Sequence, residues 1–260
     1  MAAYEERFVA FVDTLGFKAL IARTTGPQGD VSVDEVRDLL VPPPPAGQEQ
    51  IILGRIGDIS LSGHYLTSFS DSIVISTHAT EPGLIHLLTH LEKISFGLFN
   101  RGVLCRGAVT RGLIYHRDGL TFGPALIQAV EQERVARYPR IVLDQKVVKF
   151  GRSLAAPVGT VFGRLVRDCD DDVVMVHTLR RVRMTADAET EPPLQWRDWL
   201  QGRFAFLAAE FSRTTDNRDR EKIEWFSNYL KWACDRTVWD VLKRPLPLPP
   251  VADLFRRRSD

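Results

Sequence analysis

The 260-residue chain is 44% apolar and 26% charged, with a net charge of +1; that is the balance of a globular protein with one domain and a sizeable extension, or two small domains. A charge so near zero supplies no field for gathering a long polyanion or an acidic membrane, and no apolar run approaches the roughly 18 residues of a membrane helix. Cys105, Cys169 and Cys234 lack any C-x-x-C spacing and read as buried reduced thiols, and residues 1–7 precede no long apolar segment, so the expected location is the cytoplasm.

Residues 7–13 are apolar and β-prone up to Asp13, which predicts a central strand buried on both faces. Leu15 to Ala22 has helical character, so Asp13 to Phe17 is expected to be a strand-to-helix turn with the helix starting near Asp13. Val33, Val36, Leu39 and Leu40 at helical spacing predict a second helix, stopped by Pro42 to Pro45. The stretch 42–63 reads as a long loop of the kind that carries a lid or an interface. Tyr65 to Phe69 and Ile73 to Ser76 predict a hairpin with Asp71 at its bend. Leu84, Leu87, Leu88, Leu91, Ile94 and Leu98 mark an amphipathic helix ended by Gly102. A strand over Val103 to Tyr115, a turn at Arg117-Asp118-Gly119, a helix opened by Pro124 and a buried strand over Ile141 to Asp144 follow. This order, β-α-β-β-α-β followed by α-β, predicts an α+β fold with a ferredoxin-like sheet and additions, over a first domain of residues 1–150.

Residues 151–260 form the extension. Leu165 to Arg167 and Val173 to His177 read as strands around an acidic turn at Asp168-Cys169-Asp170-Asp171-Asp172, two long helices follow, and this part of the chain carries all five tryptophans. That much aromatic area implies packing on the first domain or on a second subunit. Pro245 to Pro250 reads as a polyproline-like tail before a basic end at Arg256-Arg257-Arg258.

In the ferredoxin-like order strand one neighbours the hairpin, so Asp13 and Asp71 are expected at adjacent strand ends on one edge of the sheet. Two close carboxylates repel unless they are protonated or bridged by cations. Two divalent ions between them make the clamp used for in-line phosphoryl transfer. The Thr14 carbonyl is a further hard-cation ligand, and the backbone N–H groups of Leu15, Gly16 and Phe17 at a helix start suit a phosphate. Against this stands the plain reading of each aspartate as a turn former or helix cap.

The run Phe11-Val12-Asp13-Thr14-Leu15-Gly16-Phe17 resembles the first metal-aspartate motif of the class III nucleotidyl cyclases; Phe69-Ser70-Asp71-Ser72 sits where that family has its second, and Arg106-Gly107 to Gly112 resembles its R-x-G-x-x-x-G strand. Phe122-Gly123-Pro124-Ala125-Leu126, Glu131 and the run Ala136 to Val142 are similar, more narrowly, to the bacterial pyrimidine cyclases of Pycsar anti-phage defence. The resemblance covers about residues 6–145. It implies a cyclase that turns UTP, or CTP, into the 3′,5′-cyclic nucleotide and pyrophosphate, with two Mn²⁺ or Mg²⁺ ions on Asp13, Asp71 and the Thr14 carbonyl. It also implies a homodimer with shared sites and a separate effector activated by the product. Arg106 is taken as a catalytic cation, with Thr67 and Phe69 beside the substrate.

The departures from the family point the same way on the base. Thr67 stands where purine cyclases have a base-reading Lys, and Leu120 falls near their base-reading Asp, which argues against ATP and GTP. Ile127, with Gln128 beside it, replaces the ribose-orienting Asn, and Glu131 replaces the transition-state Arg, leaving Arg106, Arg111 and Arg134 as cations for the α-phosphate. A hydroxyl such as that of Thr67 or Tyr65 serves uracil or cytosine alike. The rival reading from another class is a non-catalytic nucleotide-sensing domain on the same fold. His86 and His90, four apart on a helix, read as a solvated face rather than zinc ligands. Arg180, Arg181 and Arg183 read as a solvated strand edge or as partners of the acidic turn.

Overall fold

Strand β1 (Glu5–Leu15) is the axis of a mixed sheet, because its residues from Phe8 to Val12 are all buried and both faces are covered. The computed structural model describes residues 3–25, 29–40, 63–154, 164–168, 171–182, 194–242 and 255–257. The expected loop over 42–63, apart from Gly63, lies outside them, as do the polyproline-like tail, Cys169, Asp170, Arg183 and Arg258. After β1 come helices α1 (Phe17–Thr25) and α2 (Val33–Leu40), the hairpin of β2 (Tyr65–Phe69) and β3 (Ser72–His78), and the long helix α3 (Glu81–Asn100). Then follow β4 (Leu104–Arg117), the short β5 (Leu120–Phe122), α4 (Pro124–Val135), β6 (Ile141–Leu143) and α5 (Gln145–Ser153).

Antiparallel pairing of β1 with both β3 and β4 gives the order β2-β3-β1-β4. The chain is therefore an α+β protein with the ferredoxin-like β-α-β-β-α-β core expected from the sequence. β6 adds in parallel to β4. The same sheet continues through β8 (Val174–Val176) and β7 (Leu165–Asp168) to β9 (Phe255–Arg257). Helices α6 (Leu194–Arg213) and α7 (Asn217–Leu242) complete the extension.

Side chains alternate across a strand, so β1 feeds two cores. Phe8, Ala10 and Val12 join Ile73, Ile75 and the apolar face of α3 in the larger one. Val9 and Phe11 meet Val74, Ile114 and two alanines of α4, Ala125 and Ala129, in a smaller core on the opposite face. A third core gathers the aromatics of α6 and α7 around Phe99 of α3. The extension is tied there by polar contacts as well: Trp199 Nε1 donates to Asn100 Oδ1 at 2.8 Å, and Arg203 Nη1 donates to the Asn100 carbonyl at 2.7 Å. α3 starts cleanly because the Thr80 hydroxyl accepts the Gly83 N–H.

Two expectations need correction. β1 runs on to Leu15, because Thr14 and Leu15 still pair with Cys105 and Leu104 of β4. The helix therefore begins at Phe17 rather than near Asp13, after a reversal at Gly16 (φ +86°) that side-chain-bearing residues rarely adopt. Arg180 and Arg181 lie in a helical turn after β8, not on a strand edge. Arg180 pairs with the buried Glu92 at 3.8 Å, and Arg181 sits over the Phe96 ring.

Candidate active site

Asp13 lies opposite Ser72 of β3 on one side and Arg106 of β4 on the other. The β2–β3 connection is only two residues long, so Asp71 falls immediately beside that pairing, at the same end of the sheet. The turn is made with Ser70 in the left-handed region (φ 56°), a conformation that costs a side-chain-bearing residue about 1–2 kcal/mol. Thr14 holds it: the backbone N–H and the hydroxyl of Thr14 both donate to the Asp71 carbonyl at 2.9 Å. The sheet thus brings Asp13 and Asp71 together as expected, and Thr14, itself buried, fixes the second against the first.

Arg106 links the pair to a residue that the sequence reading missed. Its Nη2 lies 3.5 Å from Asp13 Oδ2, and its Nε forms an ion pair with Glu133 of α4. Glu133 is buried because it continues the stripe Ala125-Ala129-Glu133, four residues apart, that faces the sheet. That stripe was the available signal, since two small residues at helical spacing mark a face pressed against strands. Gly107 is glycine for a related reason: a Cβ there would lie 2.4 Å from the Phe11 carbonyl oxygen.

Burial and then the charge of Asp71 raise the Asp13 carboxyl above its usual range, and the nearby Arg106 guanidinium only partly offsets them. Burial, with the charge of Asp13 adding to it, likewise raises Glu133 against the same guanidinium. Asp13 and Glu133 therefore share the Arg106 guanidinium while the charge of Asp71 bears on Asp13, an excess of negative charge that a hard cation would relieve. Asp13, Asp71 and the Thr14 carbonyl would supply an all-oxygen donor set of the kind that suits Mn²⁺ or Mg²⁺, ions that leave positions for phosphate and water. Among the described residues no group of three or more His, Cys, Asp or Glu side chains is placed to hold a metal, so the fit rests on the two aspartates and the carbonyl.

The same face of the sheet carries a buried polar chain. Arg7, in phase with Asp13 along β1, is 1% exposed. Its guanidinium reaches Glu5, the Gly63 carbonyl and Ser76, and its Cζ lies 4.6 Å from the centre of the Tyr65 ring. Ser76 Oγ is 2.9 Å from His116 Nδ1, and His116 Nε2 is 2.9 Å from Thr67 Oγ1. Thr121 of β5 donates to the same Thr67 oxygen at 3.3 Å. Thr67 is half-buried in this chain, and Phe69, two residues on, presents a ring that is 52% exposed.

Leu15 belongs to the strand ladder, which removes it from the helix start; Gly16 and Phe17 remain there, with the Gly16 carbonyl accepting from Ala19 and Leu20. Arg111 pairs with Glu6 and lies over Phe150 on the opposite face, away from Asp13. Arg134 is exposed, and so are Ile127, Glu131 and Leu120. Gln128 donates to Asp144, the residue that caps α5. His86 is exposed as expected, but His90 is not solvated: it stacks on His64 with Nδ1 and Nε2 2.9 Å apart, and burial lowers it to about 3.

No family model matches the chain, and no curated protein matches it. Among solved structures the chain is similar to an adenylate/guanylate cyclase/hydrolase from Silicibacter pomeroyi, at 15% identity and a TM-score of 0.37, over 66% of this chain and 95% of that one. Strand order and register, not that likeness, place the two aspartates. No helix among the described residues is long and apolar enough to cross a membrane.

Proposed function

We propose that this chain is a pyrimidine nucleotide cyclase that converts UTP to 3′,5′-cyclic UMP and pyrophosphate. The observation that carries the reading is the pair Asp13 and Asp71 at one end of adjacent strands, with Arg106 against Asp13. In the reaction the ribose 3′-hydroxyl loses its proton to solvent, its oxygen bonds to the α-phosphorus, the bond from that phosphorus to the bridging oxygen breaks, and pyrophosphate leaves with the electron pair. Mn²⁺ or Mg²⁺ bound by Asp13, Asp71 and the Thr14 carbonyl would supply Lewis-acid activation of the attacking hydroxyl and neutralise the phosphates.

The chain's own groups do the rest. Arg106 meets charge building on the α-phosphate, held in place by Glu133. The start of α1 at Gly16 and Phe17 offers backbone N–H groups to the phosphate tail. Phe69 gives the base an exposed ring to stack on, and Thr67 reads its edge. A homodimer with shared sites, a cytoplasmic location, an anti-phage role and a separate effector responding to the cyclic product belong to the same proposal.

A second reading, a domain that binds nucleotide without turning it over, is favoured by exposed Ile127 and Glu131 standing on α4 where a catalytic pair is expected. Incubation with Mn²⁺ and each of ATP, GTP, CTP and UTP, followed by mass spectrometry of the products, separates the two. Cyclic UMP from the wild type, reduced about 10²–10³-fold in Asp13→Ala and Asp71→Ala, is expected. Cyclic CMP instead would move the substrate to CTP; a nucleotide bound but never cyclised would establish the second reading.

A further inference from the structure

The chain Arg7, Ser76, His116, Thr67 draws on four strands, β1, β3, β4 and β2, on the face that carries Asp13, and its hydrogen bonds have a direction. A guanidinium can only donate, so Arg7 Nε donates to Ser76 Oγ at 3.1 Å. Ser76 is fully buried, and its hydroxyl hydrogen needs an acceptor. His116 Nδ1, 2.9 Å away, is that acceptor. The opposite tautomer would make Ser76 Oγ accept from both neighbours and leave its hydrogen without an acceptor among the described residues. The tautomer is thus assigned by the network: His116 carries its proton on Nε2 and donates to Thr67 Oγ1 at 2.9 Å. Burial, with the charge of Arg7 adding to it, lowers His116 to about 4, which keeps the ring neutral and this polarity intact at neutral pH. Thr121 fills the second lone pair of Thr67. A hydroxyl accepts twice and donates once, so what remains for a ligand is the Thr67 O–H as a donor.

We propose that the Arg7–Ser76–His116 relay fixes Thr67 as a hydrogen-bond donor and thereby selects a base with an acceptor at that edge, the 4-oxygen of uracil, over the 4-amino group of cytosine. This rests on the reading of Thr67 as a base-contacting residue in a nucleotide site. It replaces the ambivalence of a free hydroxyl with a defined polarity, because cytosine would set donor against donor. Phe69, exposed on the same strand and face, supplies the ring on which such a base stacks.

The test is calorimetric titration, in Mn²⁺, with 3′-deoxy-UTP and 3′-deoxy-CTP, which lack the attacking hydroxyl and so report binding alone. The wild type is expected to prefer the uracil analogue by about 10-fold or more. Thr67→Val brings the ratio near one by weakening the uracil analogue, whereas Thr67→Ser keeps the preference. His116→Leu frees the Thr67 hydroxyl to turn, so the ratio falls through tighter binding of the cytosine analogue, while His116→Gln, which retains an N–H at the same place, preserves it. A wild type that prefers the cytosine analogue, or a ratio unchanged in both Thr67→Val and His116→Leu, overturns the relay while leaving the cyclase reading standing. If neither analogue binds, the relay and the nucleotide site both fall.

Discussion

Asp168→Ala should cost this protein about 3 kcal/mol, although Asp168 lies far along the sheet from Asp13. The Asp168 side chain is fully buried, and its Oδ2 takes Arg140 Nη1 at 2.5 Å and Trp225 Nε1 at 3.0 Å. Arg140 is itself 4% exposed, wedged against the parallel rings of Tyr138 and Trp225, which stack with centroids 5.3 Å apart. Removing one partner of such a pair strands the other charge, at about 3–5 kcal/mol. Here the lower end applies, because Asp171, still partly exposed, also pairs with Arg140 and keeps it partly neutralised. For a chain of this size the loss corresponds to a drop in Tm of about 6–12 °C. Asp168→Asn, which keeps an acceptor for Trp225, should lose about half as much, and Asp171→Ala, at the rim, under about 1 kcal/mol. Thermal melting followed by circular dichroism, with urea midpoints beside it, reads all three. A melting temperature for Asp168→Ala within about 2 °C of wild type, or an equal loss in Asp171→Ala, would refute the account of a buried clamp joining α7 to the strand after Tyr138.

On the cyclase proposal, Glu133→Gln should lower turnover by about 10-fold or more with little change in KM for the nucleotide, since it loosens Arg106 without touching the proposed base site; a change confined to KM would show that Glu133 acts on binding instead. The pH dependence of stability should separate Asp13 from the histidines. A carboxyl raised in the folded state contributes stability that is full below its unfolded value, about 4, and is lost as pH rises through the folded value. His64, His90 and His116, lowered to about 4, 3 and 4, act the other way and cost stability as pH falls below about 6.5. Asp13→Asn should therefore melt higher relative to wild type at neutral pH than at about pH 4.5, and Mn²⁺ should raise the wild type alone; a difference that is flat with pH would count against a strained carboxylate pair.

Much of the candidate site was legible because its signals are local. An apolar run ending in Asp13 and a tight Phe69-Ser70-Asp71-Ser72 bend declare a strand end and a hairpin tip, and the β-α-β-β order then makes them neighbours. The run from Asp13 to Phe17 told of a strand-to-helix turn but not where it falls: the ladder with β4 carried β1 two residues further than its composition implied, because pairing partners about 90 residues away decide where a strand stops. Buried charges were the harder class. Arg7, Glu133, Arg140 and Asp168 look like surface residues in a sequence, and only cross-strand phase or a long-range partner reveals each as enclosed. His90 failed as a solvated residue for the same reason, its partner His64 lying on another segment.

The phase of β1 arranges one face of the sheet into three zones. Asp13 marks the acidic end, Phe11 and Val9 form an apolar band under α4, and Arg7 anchors the polar relay. Thr67 lies opposite Val74, which lies opposite Phe11. It is therefore about 7 Å along the strands from the level of Asp13 and about 10 Å across them, two strand spacings away. One ligand that touches both the aspartates and Thr67 must be extended, with its charged end at Asp13 and Asp71 and its other end toward β2. Phe69, opposite Ser72 and so level with Asp13, stands exposed between the two ends. A compact ligand would meet only one of these groups. The burial of Arg7 and His116 behind Thr67 makes sense for a site that must hold one hydroxyl in a fixed orientation at the far end of such a ligand, and less for a face meant only to pack.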